Sequence, residues 1–479
     1  MKKQLLIVSV VPLLTGCGIY TNYQKAEEVP MNLYGEEVLI DTTTVGLGDL
    51  GWRSLFTDPQ LQALIERGLQ NNTDLQSARL RVEQAEAAML SAKLAYLPSF
   101  ALAPQGTISS FDKHEAVETY SLPLTASWQL DFFGGIRNAK KQAKALLEQS
   151  RDYEQAVQTQ LIAGIANTYY TLQMLDAQLS ICEQTEHSWG ESVKSTRALM
   201  NAGMANEAAV SQMEAAHLSV QTSVCDLKEQ INQVENSLSL LLAETPQHIQ
   251  RTSWTEVRFA CPESLSIGLP IQLLANRPDV RAAERNLEAA FYSTNMARSA
   301  FYPSVSLSGS AGWTNSAGGV IINPGKFLAS AVGSLTQPFF AQGRLVGQLK
   351  IAKAQQEQAS LAFQQALLNA GAEVNEAMVA CETSRAKSDL LDRQVASLEK
   401  AYHSTSLLMQ HGTTTYLEVL TAQQSLLSAQ LQQTANRFKE IQCIINTRNK
   451  ITEVIAYGIT GNDAQPQIHP EIPGSEGGT

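Results

Sequence analysis

Several things are scarce in this 479-residue chain, and each scarcity excludes something. Hydrophobicity is scarce overall: a mean hydropathy near zero rules out a polytopic helical membrane protein, and the apolar run from Leu5 to Leu14 is too short to span a bilayer as a helix. Aromatics make up 6% and charged residues 17%, low for a soluble surface, yet an apolar content of 44% rules out a wholly disordered chain. Basic residues are outnumbered 35 to 46, and the net charge of −11 has the wrong sign for a nucleic-acid binder. Catalytic signatures are missing as well: there is no Walker A loop, no G-x-G-x-x-G and no H-E-x-x-H. His114, His187, His217, His248, His403, His411 and His469 have no zinc spacing. No enzymatic activity, cofactor, metal or nucleic-acid partner is therefore expected.

Cysteines are few and scattered. Cys17 ends a processing signal in which Lys2 and Lys3 precede a short apolar run from Leu5 to Leu14, followed by Leu14-Thr15-Gly16-Cys17. This looks like a bacterial lipobox, making residues 1–16 a lipoprotein signal peptide and Cys17 the lipidated first residue of the mature chain. Cys182, Cys225, Cys261, Cys381 and Cys443 remain, an odd set with no CxxC pair. They read as small core residues and not as a disulfide framework.

What the chain does have is an internal duplication. Tyr96-Leu97-Pro98-Ser99-Phe100 returns as Phe301-Tyr302-Pro303-Ser304-Val305, 205 residues later. Phe132-Phe133 returns as Phe339-Phe340 at 207, and Leu199-Met200-Asn201-Ala202-Gly203 as Leu408-Met409-Gln410-His411-Gly412 at 209. Proline is absent between Pro123 and Pro246, and again between Pro338 and Pro466. Residues 136–200 read as one helix of about 65 residues, roughly 100 Å long. Gly203 and Gly412 are turn signals, so each half is a long helical hairpin. Apolar seams with 3- and 4-residue steps support this, from Val210, Met213, His217 and Val220 to Leu241, and from Leu417, Leu420, Gln424 and Leu427 to Ile445. Such a 3.5-residue period makes left-handed coiled coils. His217 reads as a tolerated polar seam residue. The seams match at 207 while the turn glycines match at 209, which leaves the register near the tips open.

Between the helices the period becomes two. Tyr120, Leu122, Leu124, Trp128 and Leu130 alternate with Ser121, Thr125, Ser127 and Gln129, and Val305, Leu307 and Trp313 alternate with serines. Four strands are expected at about 99–110, 119–132, 304–314 and 327–339, suited to a bilayer with one lipid face and one water face, although a soluble sandwich gives the same alternation. Four strands cannot close a barrel, and lipid tolerates no open edge, so strands that enter a membrane require an oligomer.

Gly268-Leu269-Pro270-Ile271-Gln272-Leu273-Leu274-Ala275-Asn276-Arg277-Pro278-Asp279-Val280-Arg281-Ala282-Ala283-Glu284 closely resembles the signature of the outer membrane efflux (TolC-like) proteins. Ala297-Arg298-Ser299-Ala300-Phe301-Tyr302-Pro303-Ser304 continues it, and Gly51-Trp52 with Phe56-Thr57-Asp58-Pro59-Gln60-Leu61 looks like that family's entry motif. With the lipobox, the chain resembles the NodT-like lipoprotein branch. Arg277, Pro278 and Asp279 read as structural, starting a helix, and not as catalytic.

The resemblance implies a fold that is mainly α with a membrane β-barrel. Long coiled-coil hairpins would form a periplasmic α-barrel, with four strands per protomer in a trimeric twelve-stranded barrel. The implied organisation is a lipidated segment at 17–60, a duplicated channel protomer at 61–457 (repeats of about 61–245 and 270–457) and a flexible tail at 458–479. It implies a homotrimer anchored in outer membrane lipid, the exit duct of a tripartite efflux pump for drugs, toxic compounds or metal ions. Its partners would be a periplasmic adaptor and an inner-membrane pump of the resistance-nodulation-division type. The tips, with Ala202, Gly203, Met204, Gly412, Thr413 and Thr414, would dock the adaptor. Tyr416, Leu417, Glu418 and Thr421 match the periplasmic aperture, where related channels carry one or two acids at 418 and 421. Here only Glu418 is acidic, and Ala209 stands at the corresponding place in the first half. Met200, Met204 and Met409 near the tips read as adaptable packing or docking contacts. A type I protein secretion duct and a coiled-coil structural lipoprotein without a pore remain alternatives.

Overall fold

The computed structural model describes residues 20, 23–24, 52–110, 112, 115–253, 277–314, 326–411 and 413–451. The signal peptide, Cys17, Cys261, Gly268–Asn276, Gly412 and the 458–479 tail lie outside the described residues.

The duplication is visible in element lengths. Helix α1 spans Trp52–Leu55 and α2 spans Pro59–Asn71; α3, Thr73–Leu94, has the same 22 residues as α6, Pro278–Ser299. Helix α4, Gly135–Asn201, and α7, Arg344–Gln410, have 67 residues each, roughly 100 Å at 1.5 Å per residue. Helices α5, Glu207–Leu241, and α8, Tyr416–Ile451, complete the hairpins. The offset is 205 at both ends of α3 and α6, and 209 at both ends of α4 and α7. The four extra residues of the second half therefore lie in the strand region between them. At the hairpin caps the register is 209. The 207-residue match of the seams arises because α8 packs on both α7 and α4, so it buries a wider stripe than α5 does. Val419, Leu420, Gln423, Ala429, Phe438 and Cys443 are buried, whereas the seam members Leu417 and Gln424 are exposed.

The sequence around each element accounts for its ends. Asp58 caps α2, accepting from the Gln60 amide at 2.9 Å, with Pro59 in the first turn. Asn72 closes α2 and caps α3, accepting from the Leu75 amide at 2.9 Å. Gly134 (φ 74°) and Gly343 (φ 78°) take the left-handed conformation that starts α4 and α7. The Asp131 carboxylate additionally accepts from the amides of Ile136 and Arg137 at 3.1 and 2.7 Å.

The strands form one antiparallel sheet. The segment 99–110 is split into β1, Ser99–Leu102, and β2, Gln105–Ser109, both paired with β3, Val117–Leu130. The break falls at Pro104, which has no amide to give to a ladder. Strand β3 pairs with β4, Ser304–Thr314, and β4 with β5, Lys326–Thr336. The register puts Leu124 opposite Ala311 and Trp128 opposite Leu307 on one face, and Ser127 opposite Ser308 on the other. Hydroxyls of Ser306 and Ser334 meet at 2.7 Å and those of Ser310 and Ser330 at 2.8 Å. The apolar face is uncovered in the protomer: Phe100 is 68% and Leu335 69% exposed. Among the described residues no helix is long and apolar enough to cross a membrane.

The largest core lies where α2 docks on the base of the hairpins, around Phe56, Ile65, Tyr169, Leu172, Leu238 and Phe438. A second cluster, with Cys182, Trp189, Met213, Val220 and Leu420, runs toward the tips. His217 is half-buried in the seam as expected, with Nε2 2.8 Å from the Glu186 carboxylate.

One expectation about the cysteines is overturned. Cys381 on α7 and Cys443 on α8 form a disulfide, with Cα atoms 5.5 Å apart. The hairpin brings together two residues separated by 62 positions, which linear spacing does not reveal. Cys182 is a buried core thiol, as expected, and Cys225 is exposed.

Candidate functional site

At the first tip, the chain leaves α4 through a Schellman turn. The Gly203 amide donates to the Met200 carbonyl at 2.9 Å, and the Met204 amide to the Leu199 carbonyl at 2.8 Å. Gly203 has φ 75°, which only glycine adopts cheaply, and nothing lies within 4 Å of where its Cβ would be. Ala202 is exposed, and Met204 is 77% exposed. Asn206 then caps α5, accepting from the Ala209 amide at 2.9 Å.

The second tip repeats this bonding 209 residues on. The Thr413 amide donates to the Leu408 carbonyl at 3.0 Å, and its hydroxyl to the same oxygen at 2.9 Å. Gly412 lies outside the described residues, but the bonds that flank it match those around Gly203. The Thr414 hydroxyl donates to the Glu418 carboxylate, which sits in the first turn of α8, where a negative charge complements the helix dipole.

The residues expected at the aperture separate into two kinds. Leu417 is 52% exposed, and Glu418 and Thr421 are exposed too, with side-chain hydrogen bonds to Thr414 and to the Leu417 carbonyl, one turn away on the same stretch of chain. Tyr416 is half-buried against the second cluster, and its hydroxyl donates to Gln212 Oε1 on α5 at 2.7 Å. Tyr416 thus ties the second hairpin to the first, while Leu417 and Glu418 face solvent. Gln212 was not singled out from the sequence, although it stands 209 residues before Thr421, the same register as the caps. Near the first tip Arg197 pairs with Glu214 across the hairpin.

The hairpin bases are held by polar clusters built on the buried side chains of Tyr169, Arg251, Glu235 and Arg277. Tyr169 donates to Asp58 Oδ2 at 2.6 Å and accepts from the Thr252 amide at 3.1 Å. Burial pushes the Tyr169 hydroxyl up to about 12, and the Asp58 carboxylate it donates to adds to the shift. Arg251 forks onto Asp176 on α4, with Nη2 2.7 Å from Oδ1, and reaches Glu235 on α5 at 2.6 Å. Arg277 pairs bidentately with Asp279 at 3.0 and 2.7 Å and reaches Glu373 on α7 at 3.0 Å. Burial alone would raise the Asp279 carboxyl, but the hydrogen bonds and charge of Arg277 hold it below the usual carboxylate range. The Arg277-Pro278-Asp279 motif is thereby a brace at the start of α6.

Among the described residues no group of three or more His, Cys, Asp or Glu side chains could hold a metal ion. The uncovered arrangement is a sheet with one apolar face and two unpaired edges, set above helices of roughly 100 Å that end in exposed turns.

The sequence pattern of the family described as outer membrane efflux protein matches residues 64–244 and 269–439. The chain is 29% identical over 433 residues to the cation efflux system protein CusC of Escherichia coli K12, covering 89% of this chain and 93% of that one. It is 26% identical over 433 residues to the probable outer membrane lipoprotein SilC of Salmonella typhimurium, covering 90% and 94%. It is 27% identical over 465 residues to a toluene efflux pump outer membrane protein, TtgC, of Pseudomonas putida, covering 93% and 94%. The fold superposes on the crystal structure of CusC with a TM-score of 0.80 at 27% identity, covering 91% and 99%. It superposes on the open state of the Neisseria gonorrhoeae MtrE outer membrane channel with a TM-score of 0.80 at 26% identity, covering 91% and 98%.

Proposed function

We propose, from the premise that the chain belongs to the outer membrane efflux protein family and is an efflux channel of the outer membrane, that it works as a lipid-anchored homotrimer. In that trimer it forms the exit duct of a tripartite pump. The observation that carries this is the four-stranded membrane-suited sheet: β1 and β2 together, β3, β4 and β5 leave two edges unpaired. In lipid those edges must be closed by other copies, and three protomers give twelve strands, an even number that suits an outer membrane barrel.

The lipid anchor has support from the position of Tyr20. Its ring packs against Gly134 at the junction of β3 and α4, 3.3 Å from where a Cβ would sit. Tyr20 stands three residues after the lipobox cysteine in the sequence. Mass spectrometry of the mature protein should find an acylated residue 17 at the amino terminus; an unmodified chain beginning elsewhere would remove the anchor.

The turns at Ala202–Met204 and at Thr413–Thr414, with Thr413 exposed and Thr414 half-buried, are the surfaces that would meet a periplasmic adaptor, which in turn contacts an inner-membrane pump of the resistance-nodulation-division type. The cargo is a class of small molecules, from metal ions to drugs, selected by the pump. This follows relatives whose names speak of cation efflux and of toluene efflux. A type I protein secretion duct would share the fold, and the pump gene beside it would separate the two.

Glu418 is exposed in the protomer, and threefold symmetry would bring three such carboxylates toward the axis. Like charges held close attract cations. Single-channel recording in a planar bilayer tests the channel and this residue together. The wild-type protein should conduct with cation preference and be blocked by divalent cations. Glu418→Gln should conduct with weaker preference and weaker block. Unchanged selectivity would take Glu418 out of the constriction, and absence of conductance would favour a structural lipoprotein.

A further inference from the structure

We propose that the Cys381–Cys443 bond is a covalent clamp, installed by thiol–disulfide exchange, that fixes the base of the second hairpin as one body and leaves only its far arm free to move. The first argument is position. Both residues are buried, 2% and 5% exposed, in the interface between α7 and α8. In the 209-residue register of the hairpin caps, their counterparts in the first repeat are Leu172 and Val234. Leu172 lies in the hairpin-base core and Val234 packs against it. The second repeat thus has a covalent bond where the first has an apolar contact of the kind that packs any coiled coil.

The second argument is asymmetry of function. The second hairpin carries Tyr416, Leu417 and Glu418, and the first carries no bond of this kind among the described residues. From Cys443 back to Tyr416 the helix runs about 40 Å at 1.5 Å per residue. The bond therefore divides the hairpin into a clamped base, continuous with α4 and α6, and a long arm held to the first hairpin by contacts such as Tyr416 to Gln212. A bond that closes a loop of 62 positions strongly limits separation of α7 from α8 at that level but does not restrain bending beyond it.

The chemistry balances without a group held in the structure. One thiolate of the pair attacks the disulfide of a thiol oxidant to give a mixed disulfide, with the oxidant's other sulfur leaving. The second thiolate attacks the chain's sulfur in that mixed disulfide and releases the oxidant as a dithiol. Two protons and two electrons leave the chain, and one S–S bond forms. Because both sulfurs are buried once the helices pack, the exchange takes place before α7 and α8 close, in an oxidising compartment. Only the compartment rests on the export reading; the clamp itself rests on the packing.

The test starts with the purified full-length protein, denatured and alkylated with iodoacetamide with and without prior reduction. Without reduction, peptide mapping should recover a linked peptide pair containing Cys381 and Cys443, with Cys182 and Cys225 alkylated. Both residues alkylated without reduction would overturn the proposal. Hydrogen exchange then reads the clamp. In Cys381→Leu/Cys443→Val, which installs the first repeat's apolar pair, and in Cys381→Ala/Cys443→Ala, amides flanking 381 and 443 should exchange roughly 30-fold faster or more. Amides near Tyr416 should be unchanged. Equal rates at the base in both variants would leave a bond without a clamping role. A linked protein that does not conduct would sink the channel reading while leaving the clamp intact.

Discussion

Gly312→Val should yield a protomer whose helices fold but whose strands assemble no barrel. Gly312 on β4 stands opposite Pro123 on β3. A Cβ at 312 would lie 2.1 Å from the Leu122 carbonyl oxygen and 2.6 Å from the Pro123 Cα. Those are backbone atoms, so relief requires moving one strand away from the other and not a side-chain rotation. Pro123 turns its carbonyl to the Ala103 amide at 3.1 Å, so its missing amide faces the break between β1 and β2, and it is the Leu122 carbonyl that lies toward Gly312. A branched side chain at 312 therefore pushes β4 off the backbone of β3 in the middle of the sheet. Gel analysis without boiling should show wild-type trimer and little or none for Gly312→Val, with at least about a tenfold loss of bilayer insertion. Gly309→Ala is the matched control: its Cβ would be 3.3 Å from the Ser330 oxygen, a contact that a small shift absorbs. A Gly312→Val protein with wild-type trimer and conductance would mean that the β3–β4 register differs from the one described.

Arg251→Met should be the most damaging substitution at the hairpin bases. Arg251 joins α4, through Asp176, to α5, through Glu235, from the segment that follows α5. The Arg251 and Glu235 side chains are 9% and 8% exposed. Methionine fills much the same volume but leaves the Glu235 carboxylate buried, with His248, at 2.8 Å, as its remaining basic partner among the described residues. Breaking a buried pair by removing one member costs about 3–5 kcal/mol, because the remaining charge is no longer compensated. Lysine keeps the charge but cannot fork onto Asp176, so Arg251→Lys should fall between the two. Thermal unfolding of the purified protein in detergent, with limited proteolysis near residue 250, should rank wild type above Arg251→Lys above Arg251→Met. Coincident curves for wild type and Arg251→Met would show the cluster to be energetically idle.

Much of the architecture was legible from proline and glycine alone. A stretch without proline and with almost no glycine has little choice but helix, and α4 came within one residue of its expected start and end. The strand at 304–314 agreed at both ends, because alternation of serine with apolar residues is unambiguous when it is strict. The strand at 99–110 was less exact, since Pro104 interrupts it and alternation is silent about ladder bonds. Near the hairpin ends, the acid at 418 and the turn at 203 were visible as residues. The bond from Tyr416 to Gln212 was not, because a hydrogen bond between two hairpins depends on how they lie against each other.

The amino-acid sequence by itself determined the duplication, the helix lengths, the turn positions and the alternation of the strands. Each of these follows from backbone preferences that act over a few residues at a time. The tertiary structure alone decided which faces meet. It let α8 bury two stripes, one against α7 and one against α4, which is why the seams match at 207 while the hairpin caps keep 209. It made a disulfide of Cys381 and Cys443, placed Gly312 against the backbone of Leu122 and Pro123, and turned Arg251 and Arg277 into braces between helices. The physical reason is common to all of them. Contacts between residues dozens of positions apart exist only once long helices and strands lie side by side, and no local pattern encodes the distance at which they do so.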